Sequence, residues 1–545
     1  MSSFRPLVLL LQLPTPPLGR SGVEGNVPLA AAYLKLFARR RGLEDAFRIE
    51  LLPPELVDRL GEQGLVEEIL AREPFLVGFT CYLWNIERTL WLAARLKQQR
   101  PDLKIAVGGP EITADNAWVL EQPALDYAAL GEGEQTFAEL LAMLRDGRAP
   151  TEPIDGLWVL SGQGPPRSRT PLECLDDVSS PYVEGILDAG HDRTMFLETA
   201  RGCTFKCRFC YYPKNYQSLY QLSPEGITAC LRHAAQRQVK EVVLLDPTLN
   251  QRRDFADLLR LFARCNPDRA FTFMGELRAE GVKPEIAQLL HEANFAEVEV
   301  GLQSVGRKAQ ELMGRPVNLK ALERGIRAML DLGIRVQTDL IVGLPGDTVD
   351  TVREGIDFLT RLRPACDVQV FNLAVLPGTA FCADAVKLGL HYQSRPPYYV
   401  LRTPLLSLEQ MVGLMEEAQD ALGVEFDPPP LPEACPAGSD CCIDLDRGPT
   451  ELPPAGRRNQ FFVLWLRSND FARHGQTAAA LIAQVLADNP HTTLDVMLDV
   501  AEHPERLTAE VLESIEAECY RTSSYLDRCY SMHPTSRGAK RLVVV

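Results

Sequence analysis

Histidine is scarce in this chain: 8 occur in 545 residues, and none precedes His191. The first third of the sequence therefore offers no imidazole as base or metal ligand. Long apolar runs are missing too, since none approaches the ~18 residues that a bilayer span needs. Leu7–Leu13 is apolar, but it has neither a basic flank nor a small-residue cleavage site, so it reads as a first strand and not as a leader. A cytoplasmic protein without a membrane span is expected. There is no basic excess. With 57 Lys and Arg against 73 Asp and Glu, the formal net charge is −16. That disfavours nucleic acid as the main partner, because phosphate binding draws on basic surface. No fixed short repeat is found. The 14 cysteines are scattered through a long chain, a pattern of free thiols or metal ligands more than of a disulfide framework.

What is present is a long alternation of strand and helix patterns, too long for one core, so several domains are expected. Over residues 1–150, apolar strand segments at Leu7–Leu13, Phe47–Leu52, Leu76–Thr80, Lys104–Val107 and Tyr127–Leu130 alternate with helical periodicity. This predicts an α/β domain with a doubly wound parallel sheet. Three of its strand ends carry turn or glycine-rich sequences: Thr80-Cys81-Tyr82, Gly108-Gly109-Pro110-Glu111 and Gly131-Glu132-Gly133-Glu134. Ligands of such sheets lie beyond the carboxyl ends of the strands, where glycine lets them approach the backbone.

Residues 151–189 read as a connector. Residues 190–426 hold six further strand patterns with helices between them, which predicts a partial (β/α)6 barrel of TIM type followed by a trailing helix. Residues 427–458 are dense in proline and read as a linker. Residues 459–545 read as a small α/β domain, assigned a capping role over the barrel mouth by fold analogy alone.

The strongest motif is Arg201-Gly202-Cys203-Thr204-Phe205-Lys206-Cys207-Arg208-Phe209-Cys210-Tyr211-Tyr212-Pro213, placed where the first barrel strand should end. Composition alone would produce this cysteine spacing in about one chain in a hundred. Three thiolates on one loop can hold three irons of a cubane cluster and leave the fourth open.

This C-x3-C-x2-C loop, with an aromatic residue before its third cysteine, resembles the radical S-adenosylmethionine (SAM) superfamily. The likeness runs over roughly residues 190–400, through strand-end loops at Asp246–Asn250, Gly275–Arg278, Glu299–Ser304, Gly343–Thr348 and Leu376–Thr379. It implies a [4Fe-4S] cluster on Cys203, Cys207 and Cys210. It also implies reductive cleavage of SAM to methionine and a 5′-deoxyadenosyl radical, with an electron donor such as flavodoxin or ferredoxin. By the same resemblance Phe209 packs near the adenine and Arg278 meets the SAM carboxylate. Glu299, Gln303 and Ser304 belong to the SAM-binding strand end.

A doubly wound domain before such a barrel resembles the cobalamin-binding domain of the B12-dependent members. Thr80, Gly108, Gly109, Pro110, Gly131, Glu132 and Gly133 are then the cobalamin contacts. The Asp-x-His-x-x-Gly cobalt-ligand motif is absent, so bound cobalamin is expected base-off, with no histidine of this domain below the cobalt.

The function this implies is methyl transfer, from SAM through methylcobalamin to a carbon of a peptide or natural-product intermediate. Three alternatives stand beside it. A cyclisation or rearrangement would use the same cofactors without moving a methyl group. A cobalamin sensor would bind without catalysis. Methylthiolation of tRNA would need three more amino-terminal cluster cysteines, and only Cys81 and Cys174 precede the motif. Cys435, Cys441 and Cys442 are read as unligated loop thiols and Cys519 and Cys529 as packing residues. His474, His491, His503 and His533 are read as surface or capping residues.

Overall fold

The computed structural model describes residues 5–20, 25–147, 153–161, 164, 166–178, 180–190, 192–212, 216, 218–363, 366–426, 431, 436–448, 451–500, 503–532 and 538–545. Its first sheet contains β1 (Leu7–Gln12), β2 (Arg48–Leu51), β3 (Leu76–Thr80), β4 (Lys104–Gly108), β5 (Tyr127–Ala129) and β6 (Leu157–Val159), in the order β2-β1-β3-β4-β5-β6. The first five are parallel, as their helical connections require. All of β1 is buried because helices cover both faces. Val8 and Leu10 pack with Phe37 and Leu141 on one side, while Leu9 and Leu11 pack with Leu65 and Leu92 on the other. The reading of residues 151–189 as a connector is corrected by β6, which pairs antiparallel with β5 as an edge strand. Three residues are too few to show a period in sequence.

The second sheet contains β7 (Thr194–Leu197), β10 (Glu241–Leu244), β11 (Thr272–Glu276), β12 (Phe295–Gln303), β13 (Arg335–Val342) and β14 (Asp367–Asn372), side by side in chain order and all parallel. This is the six-stranded partial barrel. Between β7 and β10 a short antiparallel ribbon, β8 (Ala200–Arg201) with β9 (Tyr220–Gln221), frames the cysteine loop. Alternation sets which side chains face inward. Along β12, Val298, Val300 and Leu302 are fully buried in the core under the helices, which leaves Glu297, Glu299 and Gly301 on the inner side. A second ribbon, β15 (His391–Tyr392) with β16 (Val400–Arg402), follows the barrel.

The last sheet is parallel throughout, in the order β17 (Cys441–Asp444), β18 (Phe461–Arg467), β19 (Thr493–Asp499) and β20 (Lys540–Val544). Its first strand lies inside the stretch read as a linker, a second correction; pairing with Leu464–Arg467 supplies the order that the local sequence does not. Cys441 and Cys442 thus sit on an edge strand, while Cys435 lies outside the described residues.

This domain docks on the first one. Gly61 N donates to Arg458 O at 3.0 Å, Gln460 N to Arg59 O at 2.8 Å and Gln63 N to Asn489 Oδ1 at 3.0 Å. A Cβ on Gly64 would stand 2.7 Å from Gly456 O, so only glycine permits the approach. Arg528 pairs with Glu87 and donates to Pro396 O at 2.6 Å, joining all three units. No described residue of 459–545 lines the cavity described below; the domain docks on the starts of the helices that follow β2 and β3, at Gly61 and Glu87.

Candidate active site

The cysteine loop leaves β8 through Gly202, whose φ of +98° and 2.4 Å approach of a notional Cβ to Ser218 O exclude other residues. Polar contacts from neighbouring barrel loops then fix it. Gln251 accepts from Thr204 N at 2.7 Å and donates to Gly202 O at 3.2 Å. Arg208 N donates to Met313 O at 2.9 Å, and Phe381 N to Arg208 O at 3.0 Å. Cys203 and Cys207 are buried and Cys210 is half-buried. Burial pushes the Cys210 thiol up to about 11, and the nearby Cys207 and Cys203 push in the same direction. Arg315 Nη1 lies 3.9 Å from Cys207 Sγ, while its Nη2 donates to Gly301 O at 2.7 Å.

The barrel interior beside this loop carries three carboxylates against that one guanidinium. Glu276, open to the barrel mouth yet deep in its concavity, is pushed up to about 7 by desolvation and by Glu299, with Arg315 opposing. Asp339 is raised well above the carboxylate range, first by burial and then by Glu299. One Asp339 oxygen, the Gln303 Oε1 and the Arg315 Nε are buried without a hydrogen-bond partner. Such groups are costly unless a polar ligand meets them. Gly301 makes room here, since a Cβ would lie 2.1 Å from Gln303 Nε2 and 3.1 Å from Arg315 Nη2.

The expected SAM residues divide. Phe209 packs on the barrel core, and Glu299 and Gln303 stand in the interior. Ser304 is turned away: its hydroxyl donates to Asp347 at 2.8 Å and accepts from Gly306 N at 2.9 Å, both within the strand-end loops. Arg278 is engaged elsewhere, 3.1 Å from Glu280, 2.9 Å from Pro316 O and stacked 4.4 Å over the Phe205 ring. The guanidinium at the cysteines is that of Arg315, which no sequence motif marked. Glu276 was legible one step further, because it continues the inward phase of Thr272 and Met274 along β11.

The first domain's strand ends face the same place. A cavity of about 410 Å³ is lined by Thr80, Gly108, Gly109, Pro110, Gly131 and Gly133 on one side and by Glu198, Arg201, Tyr212 and Leu245 of the barrel on the other. Gly131 leaves open space, with no atom within 4 Å of a notional Cβ. Tyr82 also lines the cavity and stacks on Trp84 at 4.4 Å; no histidine lines it among the described residues. Glu132 departs from expectation. It is a tie between domains, accepting from Leu172 N at 2.6 Å and pairing with Arg201 at 3.3 Å. Arg201 is held also by Glu134 at 2.8 Å and Glu198 at 2.9 Å, over the Tyr33 ring. Burial alone would discharge this guanidinium, but Glu134 and Glu198 outweigh it.

The residues present fit the implied groups. Three neighbouring thiols on one loop suit a cluster in which each sulfur takes its own iron; no described trio of His, Cys, Asp or Glu closes on a single ion. A glycine-floored, largely apolar cavity suits a broad ligand held by backbone and shape.

Residues 197–359 match the radical SAM superfamily and residues 26–141 match the B12 binding domain. One chain thus carries a radical SAM segment and a B12-binding segment. Among curated relatives, the cobalamin-dependent radical SAM methyltransferase TokK of Streptomyces tokunonensis is 25% identical over 385 residues, 64% of this chain and 54% of TokK. The anaerobic magnesium-protoporphyrin IX monomethyl ester cyclase of Rubrivivax gelatinosus is 25% identical over 358 residues, 62% of each chain. The chain thus spans little more than half the length of TokK. Among solved structures, the radical SAM methyltransferase TsrM of Kitasatospora setae, with cobalamin and a [4Fe-4S] cluster bound, superposes with a TM-score of 0.59 at 20% identity, over 74% of this chain and 79% of that one. OxsB with aqua-cobalamin and SAM bound gives 0.61 at 16%, over 76% and 67%. At such identities these two superpositions speak to the fold alone. No helix among the described residues is long and apolar enough to cross a membrane.

Proposed function

We propose that this chain is a cobalamin-dependent radical SAM methyltransferase that moves a SAM-derived methyl group to a carbon of a small-molecule or peptide intermediate. One observation carries the reading: a single cavity is walled by the glycine strand ends of the B12-binding domain and by residues flanking the cluster cysteines. When bound, the cluster supplies the electron that cleaves SAM to a carbon-centred radical, and the cobalamin supplies a methyl carrier.

The chain's own residues do the rest. Cys203, Cys207 and Cys210 would hold the cluster. Arg315 offsets the negative charge of thiolates and interior carboxylates. Gly108, Gly109 and Gly131 let a corrin approach the backbone, and Tyr82 and Tyr212 crowd water from the gap between the two ligands. No histidine lines the cavity among the described residues, which supports a cobalamin that would take no imidazole from this domain. The relative TokK supports methyl transfer. The cyclase relative supports a second reading, in which the same cofactors drive a cyclisation without a methyl gain.

Anaerobic, cluster-reconstituted protein with dithionite, SAM and cobalamin tests the proposal. Bound corrin in the visible spectrum, with both 5′-deoxyadenosine and S-adenosylhomocysteine formed, is expected. The Cys203→Ala/Cys207→Ala/Cys210→Ala variant should lose deoxyadenosine and keep corrin. Deoxyadenosine without homocysteine, from protein holding corrin and given substrate, would favour cyclisation. Corrin binding with neither product would return the sensor reading.

A further inference from the structure

The outer turn of the cysteine loop opens on a groove away from the cobalamin side. Phe205, Asn250, Arg278, Pro316, Val317 and Asn318 line it. Phe205 connects this groove with the cluster position, because its ring lies under the Arg278 guanidinium while its N–H bonds the Cys203 sulfur. Electron transfer falls steeply with distance, so the groove is a short way in from solvent to a cluster on these cysteines.

The charge around the groove opposes that of the chain. Lys206 adjoins Phe205, Lys283 follows the groove residue Gly281 by two positions, and Lys320 follows Asn318 by two; all three are exposed. Among the described residues none of the three has a carboxylate partner within 4 Å; Lys206 reaches only Tyr216 O, at 3.5 Å. Near the groove residues in sequence, Glu280 is engaged by Arg278, Asp254 pairs with Arg252, and Glu285 is exposed. The rim is therefore net positive on a chain of net charge −16. An acidic partner is repelled by the molecule as a whole and drawn to this one face, which orients it as well as attracts it.

We propose that this groove is the docking face for an acidic one-electron carrier protein. The inference rests on the reading of Cys203, Cys207 and Cys210 as cluster ligands. In the step it serves, one electron leaves the reduced carrier, which is oxidised by one unit, and enters the cluster, which is reduced by one; no bond breaks.

The test uses the full chain, with and without reconstituted cluster, and an acidic flavodoxin as probe. Binding is followed by calorimetric titration at low and high ionic strength, and cluster reduction by the loss of visible absorbance. Wild-type affinity should fall roughly tenfold as salt screens the rim. Lys283→Glu/Lys320→Glu should bind about tenfold more weakly at low salt, lose most of its salt dependence and accept electrons from flavodoxin correspondingly more slowly. Its dithionite-driven deoxyadenosine formation should match wild type. Equal binding and equal flavodoxin-driven reduction in the two proteins would overturn the proposal. If dithionite yields no deoxyadenosine from wild type, the cluster reading fails; the titration still decides the surface.

Discussion

The first domain's wall of the central cavity and the inner wall of the barrel beside it are made of different material. On the first domain, backbone does the work: Gly108 and Gly109 offer peptide edges and Gly131 empty space, amid mostly apolar neighbours. On the barrel, side chains do it: three cysteines, Arg315, Glu276, Glu299 and Asp339 bring charge and unmet hydrogen bonds to a small volume. A large ligand with a broad apolar face is recognised by shape, and a side chain there would only obstruct it. A compact zwitterion and a cluster of iron need charge placed to within a hydrogen-bond length. The difference teaches that the first wall should fail by gaining atoms and the second by losing them.

The largest effect is expected where the first wall gains atoms. Gly109 has φ +110°, and a Cβ would stand 2.6 Å from Cys81 O. Gly109→Val should cost about 4 kcal/mol through strain and overpacking. It should abolish corrin retention in a visible-spectrum titration while dithionite-driven deoxyadenosine formation persists. Loss of both together would show that the walls are not independent. On the second wall, Arg315→Gln removes the one cation among three carboxylates and should lower kcat/KM for SAM cleavage roughly a hundredfold, about 3 kcal/mol. Corrin binding should not change; an unaltered kcat/KM would remove Arg315 from the site.

The smallest effect concerns the latch between the walls. Glu111 is buried, accepts from the Tyr398 hydroxyl at 2.7 Å and from Asn116 at 3.2 Å, and is pushed up to about 7 by burial, with both hydrogen bonds opposing. The folded protein then holds a proton that the unfolded chain gives up near pH 4.5. Glu111 therefore takes stability away as pH rises from about 4.5 to 7, and no further above that. Glu111→Gln should flatten this decline, gaining about 2 kcal/mol at pH 8 relative to pH 5. Thermal melts of the two proteins across that range measure it, and parallel pH profiles would exclude Glu111 as the titrating group.

Much of this was legible in sequence, for reasons that differ by residue. The barrel strands lie within a residue or two of their apolar segments because period-two burial is a local pattern. The cysteines announced themselves by spacing. Gly108, Gly109 and Gly131 line the cavity, a placement that follows from their position at the carboxyl ends of strands. For Arg278 and Ser304, position after a strand says that a side chain is near the mouth, not which protein groups it engages. Arg278 turned outward to Glu280 and Phe205, and Ser304 turned to Asp347. Glu132 was taken for a ligand contact although a buried partner on another domain, Arg201, was waiting for it.

By itself the sequence determined the two α/β units, the cluster loop and the absence of a histidine before His191, since each depends on neighbours a few positions apart along the chain. Tertiary structure alone decided that Arg315 reaches Cys207 across 108 positions, that β6 and β17 complete sheets from stretches read as linkers, and that the last domain docks on the first at Gly61, Gln63 and Glu87. Those outcomes come from long-range pairing and from competition among polar groups for a few buried partners, and neither leaves a period in the chain.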